Sequence, residues 1–79
     1  MKPIEVDCAF DVDGRVRVRR VRLGRPWQPV QQGRQWLDAE GRHVLVMLPE
    51  SGGGIRELLL RADTLLWELR DLPASRPVT

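Results

Sequence analysis

Apolar and polar residues alternate along most of this chain, which is the pattern of β-strands that bury one face. The clearest run is Ile4–Val12, where apolar residues and one cysteine alternate mainly with acids. Asp13-Gly14 follows and predicts a hairpin turn. The next residues place Val16 and Val18 among arginines. The first part of the chain therefore predicts a β-hairpin with one acidic and one basic strand.

The basic strand changes phase part-way along. Val16 and Val18 lie on one side of a regular strand. After Arg19–Arg20, the next two apolar residues, Val21 and Leu23, fall on the opposite side. One extra residue at that point restores a common inward face, and a β-bulge supplies such a residue. We therefore predict a bulge at Arg19–Arg20, with all four apolar residues in one interior.

The loop length of this hairpin sets its register. A three-residue loop at 13–15 would place Asp11 opposite Arg17, and Asp7 opposite Arg22. Opposite charges that face each other across two strands attract. The acidic strand is therefore predicted to neutralise part of the basic one.

The middle of the chain reads as a strand, a tight turn and a longer strand. The turn is Asp38–Gly41, in which Asp opens a type I turn through its side chain and Gly closes it. Val44–Leu48 is apolar on both faces, which predicts a strand in the middle of the sheet with both of its faces covered. Trp27–Val30 is predicted as a short edge segment, because Pro29 has no N–H to donate to a ladder.

Residues 55–72 fit two structures. Their apolar residues recur at the i, i+3, i+4, i+7 spacing of an amphipathic helix, and Pro73 would end that helix. The same residues fit a hairpin with strands at 55–60 and 65–69 and a turn at 61–64. The pattern alone favours the helix.

Length and composition predict one soluble domain. The chain has 79 residues, of which 42 % are hydrophobic and 30 % are charged. It has no apolar run long enough for a transmembrane helix, and its first residues include acids that a signal peptide lacks. One cysteine makes no internal disulfide. We expect a cytoplasmic protein with a β domain at 1–72 and a disordered tail at 73–79.

The net charge is only +2, but the basic residues are concentrated. Residues 15–34 contain seven arginines and no acid. A row of guanidinium groups can follow a phosphate backbone, and a tryptophan beside it can stack on bases. A charged face also prevents sheet edges from sticking together. The candidate nucleic-acid-binding residues are Arg17, Arg19, Arg20, Arg22, Arg25, Arg34 and Trp27.

The residues that often carry chemistry give no catalytic pattern. Cys8 alternates with apolar neighbours and is predicted to be a small buried residue. His43 is the only histidine and has no nucleophile or metal-ligand partner at a useful spacing. Gly52–Gly54 lacks the Lys and Ser/Thr of a phosphate-binding loop. We expect no enzyme activity, catalytic residue, cofactor or metal. Trp36 and Trp67 are assigned to the core, and Trp27 to the rim.

A sparse motif links the later strands: Gly33-Arg34-Gln35-Trp36, then Leu45-Val46-Met47, then Glu57-Leu58 and Trp67-Glu68-Leu69. It resembles a pattern in families of small uncharacterised bacterial β domains, in which a GR-x-W strand leads to an LVM-like strand and a final EL…W-x-L hairpin. It is also similar to small domains associated with Y-family DNA polymerase-like proteins. The resemblance covers residues 4–70 and contains no catalytic residue. It implies a hairpin at 55–72.

These observations together predict an all-β protein of five or six antiparallel strands, curled into a small sheet or an open barrel. The alternative is an α+β fold with a C-terminal helix at 55–72. The predicted function is a non-enzymatic protein-interaction or assembly module that uses a sheet edge or an apolar rim to bind a protein partner or itself. The alternative is a nucleic-acid-associated module that uses the arginine-rich strand. No membrane and no small-molecule substrate is expected.

Overall fold

The structure is a computed structural model that describes residues 3–22, 24, 26–49 and 54–71, and these residues contain no α-helix. Seven antiparallel strands form one barrel-like sheet: β1 (Pro3–Phe10), β2 (Val16–Arg22), β3 (Gln28–Pro29), β4 (Gln31–Leu37), β5 (Gly41–Leu48), β6 (Gly54–Arg61) and β7 (Trp67–Asp71). Their order is β3-β2-β1-β7-β6-β5-β4. The all-β prediction is confirmed, with one strand more than the upper expected number.

The chain winds up and down and returns to its start. β7 pairs with β1, where Trp67 lies opposite Ile4. Only Val30 separates β3, which pairs with β2, from β4, which pairs with β5. Pro29 helps to keep β3 short because it has no N–H for a ladder. The sheet is thus nearly closed, and its remaining opening is the seam between β2 and β4.

Two glutamine side chains bridge this seam. Gln35 accepts a hydrogen bond from the Val16 N–H at 2.9 Å and donates one to the Val16 carbonyl at 2.8 Å. Gln32 accepts from the Val18 N–H at 2.7 Å and donates to the same Val16 carbonyl at 2.9 Å. Buried backbone groups need such partners, so the side-chain amides replace a missing stretch of backbone ladder.

The bulge predicted in the basic strand is confirmed. Val18 lies opposite Cys8 and Arg20 lies opposite Asp7, so Arg19 is the extra residue of β2. This residue shifts the phase of the strand and brings Val21 to the same side as Val18.

The predicted register of the first hairpin is wrong by two residues. Arg17 lies opposite Ala9, and Arg22 lies opposite Glu5. The Asp11 N–H donates to the Arg15 carbonyl at 2.8 Å, so these two residues also face each other and the turn is centred on Asp13 instead of Gly14. The predicted neutralisation nevertheless occurs through three ion pairs, which are Arg17–Asp11 at 2.7 Å, Arg20–Asp7 at 2.8 Å and Arg22–Glu5 at 3.5 Å.

The interior of the barrel is aliphatic. Its buried cluster consists of Val16, Val18, Val21, Val44, Val46, Leu48 and Leu58. The predicted shared interior of the three β2 valines is confirmed, whereas Leu23 lies outside the described residues. Trp67 packs against this cluster as predicted. Trp36 was expected there too, but it stacks on His43 because that residue lies opposite it across the β4–β5 ladder.

Residues 54–71 form a hairpin, as the resemblance implied, and the helix alternative is wrong. Leu58 pairs with Val44 and belongs to the interior cluster. Leu59 is also fully buried but points to the other face of the sheet. Two adjacent buried leucines are therefore used by a strand with both faces covered. The predicted tail at 73–79 lies outside the described residues.

The Asp38–Gly41 turn forms as the sequence predicts. The Asp38 carboxylate accepts from the Glu40 N–H at 2.9 Å. Gly41 has a φ of +144°, and a Cβ at this residue would lie 2.0 Å from the Leu60 carbonyl oxygen. Glycine is required here because it permits both this conformation and this close approach.

Candidate functional site

One end of the barrel carries an exposed apolar surface. The β1–β2, β4–β5 and β6–β7 turns all lie at this end, because the strands run alternately up and down. In the described part of the chain, six large hydrophobic residues are about half exposed or more, and only Ile55 lies elsewhere. The other five form what we call the apolar rim: Phe10, Val12, Leu37, Leu65 and Leu66.

Three residues of the apolar rim surround a shallow cavity. Phe10, Leu37 and Leu65 come from three different hairpins and line a space of about 230 Å³. Leu60 and Gly41 contribute to its floor. The three rim side chains are well exposed, at 52 % for Phe10, 67 % for Leu37 and 72 % for Leu65. Sequence reasoning had assigned Phe10 to the buried face of its strand, but the residue lies at the strand end, where the barrel opens.

Hydrogen bonds tie the three turns together. The Arg42 guanidinium donates to the Gly14 carbonyl at 3.0 Å and joins the first turn to the second. The Ala62 N–H donates to the Glu40 carbonyl at 2.9 Å and joins the second turn to the third. The rim is therefore held in place before any partner binds, which lowers the entropic cost of binding.

Leu65 has an unusual backbone conformation. Its φ is +61°, in the left-handed region that bulky residues rarely adopt. The Leu65 N–H donates to the Arg61 carbonyl at 2.8 Å, which fixes this turn. The turn thus holds a strained residue whose side chain is largely exposed to solvent.

The arginine-rich strand is largely neutralised. Arg17, Arg20 and Arg22 form the ion pairs described above. Arg20 and Arg22 also lie over the Trp27 ring, with guanidinium carbons 5.1 Å and 5.9 Å from its centroid. Trp27, which sequence reasoning offered as a stacking surface, is therefore already covered in part by cations.

The remaining predicted arginines are separate from this group. Arg34 lies over Trp36, with its guanidinium carbon 5.1 Å from the ring centroid. Arg19 is exposed, and its side chain has no acid or hydrogen-bond partner among the described residues. Arg25 lies outside the described residues. The structure thus brings together Arg20, Arg22 and Trp27, and leaves Arg19 open to solvent.

A groove lies on the outer surface over the β2–β4 seam. It has a volume of about 470 Å³ and is lined by Ala9, Arg17, Val18, Arg19, Gln32 and Gly33. Arg17 and Arg19 are the charged residues in its lining. We call it the seam groove.

A cluster of acids surrounds the buried His43, and sequence reasoning missed it. The His43 ring nitrogens lie 2.8 Å from an Asp38 oxygen and 2.5 Å from a Glu57 oxygen. Trp36 stacks on the ring with centroids 4.9 Å apart and an interplanar angle of 2°. Only 4 % of the His43 side chain is exposed. The one sequence signal was the pair of acids in the turn just before His43, since Glu57 enters through the β5–β6 register.

The two carboxylates favour the charged form of His43. Burial acts to lower the pKa of His43, but hydrogen bonds with Glu57 and Asp38 outweigh it, and the net pKa is raised above 6.5. The hydrogen bond with His43 in turn lowers the pKa of Asp38 below 3.8. Both ring nitrogens are engaged, so the imidazole has no free nitrogen with which to act as a base.

Asp38, Glu40 and His43 lie close enough to share a cation, with ligand atoms within 4.8 Å of one another. A metal would require deprotonated His43, whereas its carboxylate partners favour the imidazolium. Cys8 is not activated either, because burial and then Asp7 raise its pKa above 9.0.

Comparisons of the chain with protein-family models, with curated proteins and with solved structures each found no match. The resemblance to small bacterial β domains therefore stays a prediction. Among the described residues there is no helix that could span a membrane.

Proposed function

We propose that this protein is a non-enzymatic assembly module that binds a second copy of itself through the apolar rim. The observation that carries the proposal is the collection of five exposed hydrophobic residues at one end of the barrel. Isolated exposed hydrophobic residues are ordinary, but a contiguous apolar patch is typical of an interaction surface. Burial of such a patch in an interface releases water from it and stabilises the complex.

Folding of the barrel alone does not account for these residues. Leu37 is 67 % exposed and Leu65 is 72 % exposed, so a polar residue at either position would leave the interior unchanged. Leu65 also has the φ of +61°, which costs about 1–2 kcal/mol for a residue with a Cβ. A contact with another protein gives these side chains a role that the isolated chain does not.

Mixed charges around the rim favour a second copy as the partner. The β1–β2 loop carries Asp13 and Arg15, which are both exposed. Arg42 and the Arg61–Asp63 ion pair add charges of both signs from the other hairpins. In a two-fold interface the same patch faces itself, so a border with both signs can pair with its own copy.

The pairing of the basic strand supports protein binding over the alternative nucleic-acid function. Arg17, Arg20 and Arg22 would have to leave Asp11, Asp7 and Glu5 before they could bind phosphates. Nucleic-acid binding depends on basic residues that are free to replace counterions.

Sedimentation velocity across the micromolar to millimolar range tests the proposal. The wild type is expected to form a dimer as its concentration rises. The double variant Leu37→Ser/Leu65→Asn removes two rim side chains and is expected to stay monomeric. Ile55→Ser is the matched control, because Ile55 is 50 % exposed but lies away from the rim.

A wild type that stays monomeric throughout this range would contradict the proposal. So would a dimer that survives in the double variant and is lost in Ile55→Ser. Far-UV circular dichroism of each variant verifies that the barrel is still folded.

A further inference from the structure

The seam groove continues across β4 into an apolar surface. A second cavity of about 230 Å³ is lined by Gln31, Gln32, Gly33, Leu45, Val46, Met47 and Ile55. Gln32 and Gly33 line both cavities, so the two meet at this point of β4. Gly33 has no side chain that could separate them.

The two halves of this combined surface differ in chemistry. The half over β2 contains Arg17 and Arg19, with no acid among its lining residues. The half over β5 contains Leu45, Met47 and Ile55, with no charged residue in its lining. The surface is therefore cationic at one end and apolar at the other.

Arg19 is the residue at this groove that is most available to a ligand. It is the extra residue of the β2 bulge, and bulges commonly redirect a side chain. Its side chain is exposed and has no acid partner among the described residues, whereas Arg17 is paired with Asp11 at 2.7 Å. An acidic ligand can thus bind Arg19 without displacing an existing partner.

We propose that this groove binds an extended peptide segment of a partner protein, with an acidic part over Arg19 and an aliphatic part over Leu45 and Met47. The acidic part provides charge complementarity with the arginine half. The aliphatic part buries the apolar half. The inference does not rest on self-association through the apolar rim, since the two surfaces share no residue.

A peptide fits this groove better than a nucleic acid does. A phosphate backbone is charged along its whole length, whereas the half of the groove over β5 has no cation in its lining. Aliphatic residues cover such a surface, and a peptide carries both kinds of side chain in one short segment.

A displayed library of random peptides provides the test. It is selected on the full wild-type chain, and the enriched peptides are synthesised with a fluorescent label for anisotropy measurements. Enriched sequences are expected to contain acids next to aliphatic residues. Their affinity is expected to fall about tenfold in Arg19→Glu, as for charge reversal at a contact.

Gly33→Leu is a second variant, which fills the junction of the two halves. A Cβ at Gly33 would lie 3.6 Å from the carbonyl oxygen of Leu45 and 3.7 Å from the Cβ of Leu45. Both are ordinary van der Waals distances, so the barrel accommodates a Cβ at this position. This variant is also expected to weaken binding about tenfold. Arg15→Glu is the matched control, since it makes the same charge change outside the groove and should leave the affinity unchanged.

Failure to enrich any peptide, or enriched peptides that bind both groove variants as well as the wild type, would overturn the proposal. A labelled oligothymidylate is measured in parallel. If it binds more tightly than every selected peptide and depends on Arg19, the groove is a nucleic-acid site and the proposal is wrong. Groove variants should sediment like the wild type, whereas Leu37→Ser/Leu65→Asn should bind the peptides normally, so the two proposals fail separately.

Discussion

The barrel interior and the apolar rim are built from the same kinds of residue but differ in what covers them. Leu58 is fully buried among valines from β2 and β5. Leu37, at the end of β4, is 67 % exposed beside a turn. The interior leucine stabilises the fold because its methyl groups are removed from water. The rim leucine gains little of that stabilisation in the isolated chain.

The difference shows how the two roles of hydrophobic residues can be separated. A residue needed for folding affects the free energy of unfolding, whereas a residue needed for association affects the dissociation constant. The following predictions test this separation, beginning with the largest expected effect.

Leu58→Ala should lower the free energy of unfolding by about 2–5 kcal/mol, because it leaves a cavity in the interior. Leu37→Ala removes the same atoms at the rim. At concentrations where the chain is monomeric, it should change the free energy of unfolding by no more than about 0.5 kcal/mol. Urea denaturation measures both values. Equal losses in the two variants would show that the rim contributes to the fold as the interior does.

His43→Gln should lower the free energy of unfolding by about 1–3 kcal/mol at neutral pH, because it removes the hydrogen bonds of a buried imidazole with the carboxylates of Asp38 and Glu57. The His43 cluster is a third region, in which a buried imidazole contacts two carboxylates, and its contribution to stability should depend on pH. The raised pKa of His43 means that the imidazolium stabilises the fold fully below pH 6.5 and that this stabilisation is lost as pH rises through the raised pKa.

The pH dependence distinguishes a charged His43 from a merely well-packed one. Between pH 6.5 and pH 9.0, the unfolding free energy of the wild type should fall, and that of His43→Gln should fall less. The raised pKa of Cys8 adds its own loss only above pH 9.0, so that range is avoided. Parallel curves for the two proteins would contradict a charged histidine.

Leu65→Asn should stabilise the monomer by up to about 1 kcal/mol, because Asn tolerates the left-handed conformation better than Leu. Leu66→Asn is the matched control at a neighbouring rim position whose φ is not positive, and it should have no such effect. Thermal unfolding at low concentration measures both. Destabilisation by Leu65→Asn would mean that this leucine does pack in the isolated chain.

The first hairpin shows how far the sequence predicts the fold. The phase change after Val18 was enough to locate the bulge, because an inward-facing apolar set cannot tolerate a one-residue slip. The register depended on which residue lies at the centre of the turn, and Asp13-Gly14 is compatible with a turn centred on either residue. Arg17 pairs with Asp11 as predicted, whereas Arg22 pairs with Glu5 and leaves Asp7 to Arg20. Charge pairing persists because acids and arginines recur along the two facing strands.

The functional surfaces were harder to predict because they depend on strand ends and register. Phe10, Leu37 and Leu65 each precede or follow a turn, but only the up-and-down winding brings their turns to one end. His43 meets Glu57 because of the β5–β6 register, which no local pattern contains. The glutamines that close the β2–β4 seam gave no signal, since exposed and bridging glutamines look alike in a sequence.

The most direct test of the apolar rim is a dilution series followed by backbone amide chemical shifts of the ¹⁵N-labelled wild type. The account predicts that the amides of Phe10, Leu37 and Leu65 shift with concentration, while those of Val18 and Gly33 in the seam groove do not. Shifts that stay constant at every concentration, or that move around Ile55 and not around the rim, would contradict it.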